Sequence, residues 1–258
     1  MGRLDGRVVV LTGAGRGIGR ACAVALARRG YDVIVNERSA AEDTSATIAA
    51  VREAGGGAVA VHGDVADLAG HHDFLGRAVA AFGRLDCLVN NAGVSVLSRG
   101  DLLDATPESF DRCIAVNARG TFFLTQAFAR HLLAAGKGPG HRAIVFVTSS
   151  NVEVISINRA EYCVSKAAAG MIAKLFAVRL APEGIGVYEV RPGVIRTEMT
   201  EPSREKYDRF FAEGGAPIPR WGEADEVGRC VATLAAGELP YTVGHSVLVD
   251  GGLALPRL

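Results

Sequence analysis

Apolar and polar positions follow two patterns that take turns along the chain. Short runs rich in β-branched residues fall at 7–12 (RVVVLT), 32–36 (DVIVN), 58–61, 85–89, 143–148 (AIVFVT), 186–190 and 246–249. Continuous apolar runs of this length, bounded by turn residues, predict strands buried on both faces. Longer stretches with helical spacing lie between them, over 20–29, 40–54, a segment running to about Phe82, 106–133, 161–180 and 224–236. Gly30 closes the first of these, and Gly55, Gly56 and Gly57 close the second. Residues 198–212 are polar and helical only in part, so 197–215 reads as a mobile lid rather than core. Strands taking turns with helices predict an α/β domain built on a parallel sheet.

Composition agrees with one domain over 1–258. The chain has 258 residues, 49% hydrophobic and 22% charged, and no linker or low-complexity tract divides it. Formal net charge is +0, from 28 basic and 28 acidic residues, which argues against a nucleic-acid or anionic-membrane partner. No apolar run is long enough for a membrane span. The first apolar run comes too early and is too brief for a secretion signal, and Gly6 stands where an acylation pattern on Gly2 needs Ser or Thr. Cys22, Cys87, Cys113, Cys163 and Cys230 are odd in number and lack CxxC spacing, so they read as reduced core thiols in a cytoplasm. The histidines show no metal-ligand spacing; His71 and His72 read as a solvated helix start, and no metal site is expected.

The first strand runs into Gly13-Ala-Gly15-Arg16-Gly17-Ile18-Gly19 and then into a helix. Strand, glycine turn and helix together suit a dinucleotide: glycines admit the backbone close to a diphosphate, and the helix N-terminus supplies N–H groups. The second strand ends at Glu37-Arg38. An acidic side chain there suits the ribose hydroxyls of NAD, whereas Arg16 and Arg38 could embrace the 2′-phosphate of NADP. The repulsion from Glu37 is built in and arginines can swing to solvent, so NAD is preferred and NADP is the alternative. Asp64, followed by Val65, can cap the next helix or bond the adenine amino group. Asn90-Asn91-Ala92-Gly93 opens where the fourth strand meets the cofactor crevice, and Asn90 can lock neighbouring strands. Pro192-Gly193-Val194, with Thr197 beyond, suits a carboxamide or phosphate.

Tyr162 stands four residues before Lys166, on one helix face. A tyrosine with a pKa of about 10 is a poor acid–base catalyst at neutral pH, but a nearby cation favours the phenolate. Such a phenol can exchange a proton with a substrate oxygen. Ser149, thirteen residues earlier, can bond the same oxygen. Asn117 lies in an apolar helical stretch, where it can distort the ladder or bind a water.

These motifs, in this order, resemble the short-chain dehydrogenase/reductase family from Gly6 to Gly252, with the 3-oxoacyl-carrier-protein reductase-like branch closest. The resemblance implies a Rossmann-type doubly wound sheet of seven parallel strands with helices on both faces. It implies a catalytic tetrad of Asn117, Ser149, Tyr162 and Lys166. Tyr162 is then the general acid/base, Ser149 polarises the oxygen, Lys166 holds the nicotinamide ribose, and Asn117 binds a water in a proton relay. It also implies a homotetramer, formed through 106–133 and 161–180, with the apolar tail 252–258 able to pack across an interface. The sequence departs from the branch between Ser149 and Tyr162, and at Glu37. Asn151, Glu153, Arg159 and Arg196 could form a polar pocket, favouring a polyol or hydroxy acid over an acyl-carrier substrate. The expected function is hydride transfer between nicotinamide C4 and a small secondary alcohol or ketone. Epimerisation or dehydration with bound nicotinamide, and a non-catalytic cofactor sensor, are the competing readings.

Overall fold

Strand residues in this chain are apolar on both faces because each strand sits between two helical layers. In the computed structural model, which describes residues 6–136, 138 and 140–256, the elements in order are β1 (Arg7–Thr12), α1 (Gly17–Ala27), β2 (Tyr31–Asn36), α2 (Ser45–Glu53), β3 (Ala58–Ala60), α3 (His71–Phe82) and β4 (Cys87–Asn90). Then come α4 (Pro107–Ile114), α5 (Thr121–Ala134), β5 (Arg142–Val147), α6 (Ala160–Leu180), β6 (Ile185–Pro192) and β7 (Ile195–Arg196). The order ends with α7 (Arg204–Ala212), β8 (Gly222–Glu223), α8 (Ala224–Ala236) and β9 (Ser246–Val249). Residues 1–5, on which the reading of the amino terminus rests, and the last two residues of the apolar tail lie outside the described residues.

Seven strands pair in parallel in the order β3-β2-β1-β4-β5-β6-β9. Val9 and Leu11 of β1 join the layer formed by α1, α2 and α8. Val8 and Val10 join the layer formed by α3, α5 and α6. This is a doubly wound sheet, and its order reverses at β1. The crevice of such a sheet lies beyond the carboxyl ends of the strands at that switch, here between β1 and β4. A separate pair, β7 with β8, leads into and out of the segment carrying α7.

Three features of the packing shape the crevice. The stretch predicted as one helix over 106–133 holds a π segment, Ala115–Gly120, between α4 and α5. Asn117 lies in it, and Gly120 approaches Val65 so closely that a Cβ there would stand 2.2 Å from the Val65 carbonyl oxygen. On the other face, a Cβ at Gly228 of α8 would lie 2.7 Å from the Ala21 oxygen of α1, so the two helices meet backbone to backbone. Beyond β9, the Asp250 carboxylate accepts from the N–H groups of Gly252 and Ala254, both at 2.9 Å. That turn sits against Gly193, whose N–H donates to the Val249 carbonyl at 3.0 Å. A Cβ at Gly193 would stand 2.7 Å from Asp250 Cα.

Some expectations fail. His71 is not a solvated helix start: it is buried, with Nε2 2.9 Å from the Val65 carbonyl. Asp64 does not cap α3, which starts seven residues later; its Oδ1 accepts from Ala66 N–H at 2.8 Å in a local turn. Asn90 bonds Thr125 of α5 rather than locking strands. The helix after the glycine turn starts at Gly17, three residues before the predicted position, because the turn itself supplies its first residues. The segment read as a lid is helical in part, as expected: it carries α7, whose Tyr207 and Phe211 pack with Ala216 and Trp221 beyond it in a small core.

Candidate active site

The cleft beyond β1, β4, β5 and β6 encloses about 590 Å³. One end is the glycine turn. Gly13 and Gly17 have φ of +62° and +51°, a region that side chains rarely adopt. At Gly19 a Cβ would lie 1.9 Å from the Gly13 oxygen, so no other residue fits. The N-terminus of α1 has no side-chain cap and no acidic residue in its first turn. Its N–H groups and dipole therefore suit the diphosphate of a dinucleotide. Asn91 fixes the turn from the β4 side: its Nδ2 donates to the carbonyls of Thr12 and Gly13 at 2.9 and 2.8 Å. Thr12 Oγ1 in turn accepts from the N–H groups of Asn91 and Ala92, both at 3.0 Å.

At the end of the cleft beside β2, where the sequence reading puts the adenosine, Glu37 Oε1 accepts from Gly15 N–H at 2.6 Å. Burial, and then the neighbouring Glu42 carboxyl, push the Glu37 carboxyl above its usual range, against the pull of the Gly15 N–H and Arg16. Glu42 also holds Arg38 in an ion pair of 3.0 Å. Gly15 does not reach the cleft surface, because the Glu37 carboxylate lies over it. Arg16, Arg38, Asp64 and Val65 complete this end.

At the other end α6 carries Tyr162 and Lys166, one helical turn apart. Lys166 is buried; its Nζ donates to the Val147 carbonyl at 3.3 Å and lies 5.7 Å from the Tyr162 ring centre. Ser149 starts a short helical turn, Ser150–Val152, and its Oγ accepts from Asn151 N–H at 3.1 Å. The cleft reaches Ser149 and not Ser150. Asn117 stands just behind the surface. Its Oδ1 accepts from Val94 N–H at 2.8 Å, and its Nδ2 donates to the Val94 carbonyl and to Ser165 Oγ, both at 2.9 Å. Its side chain therefore ties the loop after β4 to α6. Among the described residues no cluster of His, Cys, Asp and Glu is arranged to hold a metal ion.

The family profile described as enoyl-(acyl carrier protein) reductase matches residues 13–254. A short chain dehydrogenase, claC, of Passalora fulva is 35% identical over 98% of this chain and 96% of its own. The chain is a member of the short-chain dehydrogenase/reductase family. An L-rhamnose 1-dehydrogenase (NAD(P)(+)) of Sphingomonas sp. (strain SKA58) is 33% identical to this member over 97% of each chain. A 3-oxoacyl-[acyl-carrier protein] reductase from Brucella melitensis, solved in complex with NAD, is 40% identical, covers 98% of this chain and 99% of its own, and superposes with a TM-score of 0.95. This short-chain dehydrogenase/reductase is an NAD(P)-dependent oxidoreductase.

The family member brings almost all its sequence-predicted site residues to one cleft. Gly13, Arg16, Gly17, Ile18 and Gly19 line it, as do Asn91, Ala92 and Gly93. So do Pro192, Gly193, Val194 and Thr197. The proposed polar pocket does not form as expected: of its four residues only Arg159 lines the cleft. Asn151 is turned to the Val154 carbonyl, at 2.6 Å. Glu153 pairs with the buried Arg191, and Arg196 with Glu223. Sequence reasoning missed Glu42, Arg99, Arg112 and Tyr207, which also line the cleft. No local pattern marks them; only the fold brings these segments together.

Proposed function

We propose that the enzyme interconverts a small polar secondary alcohol, polyol or hydroxy acid with its ketone, using NAD in preference to NADP. Bound nicotinamide supplies or takes the hydride. Tyr162 moves the proton at the substrate oxygen, and Ser149, fixed by the Asn151 N–H, polarises that oxygen. Lys166 holds the nicotinamide ribose, and Asn117 keeps the cleft wall in register with α6. The observation that carries the reading is that Tyr162, Lys166 and Ser149 meet on one wall of a cleft whose far end is the glycine turn. Preference for NAD is supported by two acids, Glu37 and Glu42, at the adenosine end, with Arg38 already taken by Glu42. Reduction of a 3-oxoacyl-[acyl-carrier-protein], with NADPH, is a second reading; the likeness to the Brucella reductase favours its substrate class, while that structure holds NAD.

Residues 197–215 act as a lid, since Thr197, Glu198, Met199 and Tyr207 border the cleft. The enzyme works as a homotetramer in the cytoplasm. Val164, Met171, Leu175 and Val178 form an exposed apolar stripe along α6, with Val178 80% exposed, and Phe110 of α4 and Phe123 of α5 are exposed too. All five cysteines are free thiols. Tyr162→Phe tests the chemistry. Turnover of any accepted alcohol should fall by about 10²–10⁴ while dinucleotide binding persists. Retained turnover would remove Tyr162 from the mechanism.

A further inference from the structure

Arginine suits a carboxylate because its planar guanidinium offers paired donors to paired oxygens. Of the five arginines that line the cleft, three, Arg99, Arg112 and Arg159, lie away from Arg16 and Arg38. They come from different parts of the chain. Arg99 follows the loop after β4, Arg112 lies on α4, and Arg159 ends the short turn Ile157–Arg159 that leads into α6. The turn Leu102–Asp104, just beyond Arg99, packs against the turn carrying Arg159, so both arginines belong to one wall. Among the described residues none of the three is ion-paired with a carboxylate. Arg112 donates to the Ser95 carbonyl at 2.8 Å. Arg99 Nη1 and Arg159 Nε are buried and have no hydrogen-bond partner.

An unpaired buried donor is unfavourable, and most such groups in native proteins find a partner. Here two arginines that line the cleft each keep one buried donor without a partner, in a chain of +0 formal charge. The acids of the cleft lie elsewhere. Glu37, Glu42 and Asp64 are at the adenosine end, and Glu198 Oε2 would be 3.6 Å from a Cβ on Gly17, over the glycine turn. The charged groups that line the Tyr162 end are thus basic, and the buried Glu161 behind them accepts from Ser109 Oγ at 2.6 Å. Arg159 also stands where it can align a substrate. Its guanidinium carbon is 5.4 Å from the Tyr162 ring centre, and its Nη2 is 3.3 Å from Tyr207 Oη on α7.

We propose that the substrate carries a carboxylate close to the reacting carbon, and that Arg159, helped by Arg99, binds it. This rests on the reading of Tyr162 as the proton-transferring group, since it places the carboxylate beside that ring. The substrate class is then a short hydroxy acid or oxo acid. The carboxylate is held and not transformed.

Two measurements test this. Malonate and its dimethyl ester are titrated by calorimetry into the protein saturated with NAD⁺. Malonate should bind and the ester should not. Arg159→Met and Arg99→Met should each weaken malonate about tenfold or more, with Arg159→Lys recovering part of the loss. Acetoacetate and methyl acetoacetate are then compared as ketones with NADH. The ratio of their kcat/KM values should favour the acid in the parent and fall about 10- to 100-fold in Arg159→Met. Malonate that ignores the saturated protein, or that binds all variants alike, overturns the carboxylate site. Malonate binding that depends on both arginines while neither ketone is reduced upholds the site and counts against the Tyr162 reading. Reduction of both ketones at an unchanged ratio upholds Tyr162 and overturns the site.

Discussion

Replacing Glu37 by Gln removes one charge at the adenosine end of the cleft and keeps the side chain's length. The amide oxygen can still accept from Gly15 N–H, which Glu37 Oε1 meets at 2.6 Å. Two unit charges about 4 Å apart near a protein surface interact by about 4 kcal/mol. Salt screens part of that, and Arg16 offsets more, since Arg38 is held by Glu42 at 3.0 Å. About 2 kcal/mol of repulsion toward a 2′-phosphate remains, or ~30-fold in Kd. The bond to Gly15 loses its charge assistance, about 1 kcal/mol or ~5-fold against either cofactor. Titration of NADH and NADPH at one ionic strength should therefore show the NADH/NADPH preference of Glu37→Gln shifted about 30-fold toward NADPH. Acidity supplies a second check. Burial and Glu42 raise the Glu37 carboxyl, so it takes up its proton at a higher pH than an ordinary carboxylate. The parent's discrimination should shrink early on the acid side, by a part that Glu37→Gln lacks. A parent that binds NADPH as tightly as NADH, or a variant with an unmoved ratio, would refute the assignment of preference to Glu37.

Gly19→Ala should abolish dinucleotide binding, because its Cβ would stand 1.9 Å from the Gly13 oxygen; a variant that still binds NADH in titration would show that the turn can re-form. Glu226 forms the capping box of α8 with Glu223 and pairs with both Nη atoms of Arg220, at 2.9 and 2.7 Å. The Arg220 bond, then the Glu223 N–H, lower its carboxyl to about 2. Its stabilisation is thus complete above the usual carboxylate value of 4.5 and is lost as pH falls from there toward about 2. Glu226→Ala should lower the melting temperature at neutral pH by about 2–4 °C, for a cap worth about 1 kcal/mol. That gap should close between pH 4.5 and 2 as the parent loses the interaction; a gap constant with pH would deny the ionised pair a role.

What the sequence made legible was local. Glycines at Gly13, Gly17 and Gly19 between a β-branched run and an alanine-rich stretch mark the turn proposed to hold the cofactor, because strand, turn and helix are continuous in the chain. Tyr162 and Lys166 are legible for the same reason, through helical spacing. Asn117 stood out as a polar residue among apolar ones, and the fold places it in a π segment, with its amide taken by Val94 and Ser165. What was not legible depends on distant pairing. Glu153 looks like a free loop acid until β6 brings Arg191 to it, thirty-eight residues away in sequence. Arg99, Arg112 and Tyr207 belong to three segments that share no pattern, and only the packing of the turns ahead of α4 and α6 gathers them. Asn91, not Asn90, does the locking: Asn90 ends β4 and bonds Thr125, whereas Asn91, just past the strand, meets the carbonyls of Thr12 and Gly13.

The turn at Asp250 backs the Gly193 wall of the cleft, and β9 is the last strand of the sheet in chain order. During synthesis β1 through β6 leave the ribosome first, so the glycine turn and the Tyr162 helix can form while that wall still has nothing behind it. A nascent chain at that stage holds most of the sheet but offers a dinucleotide only part of its site. On the proposed reading of the cleft, dinucleotide binding therefore depends on β9 having docked behind Gly193.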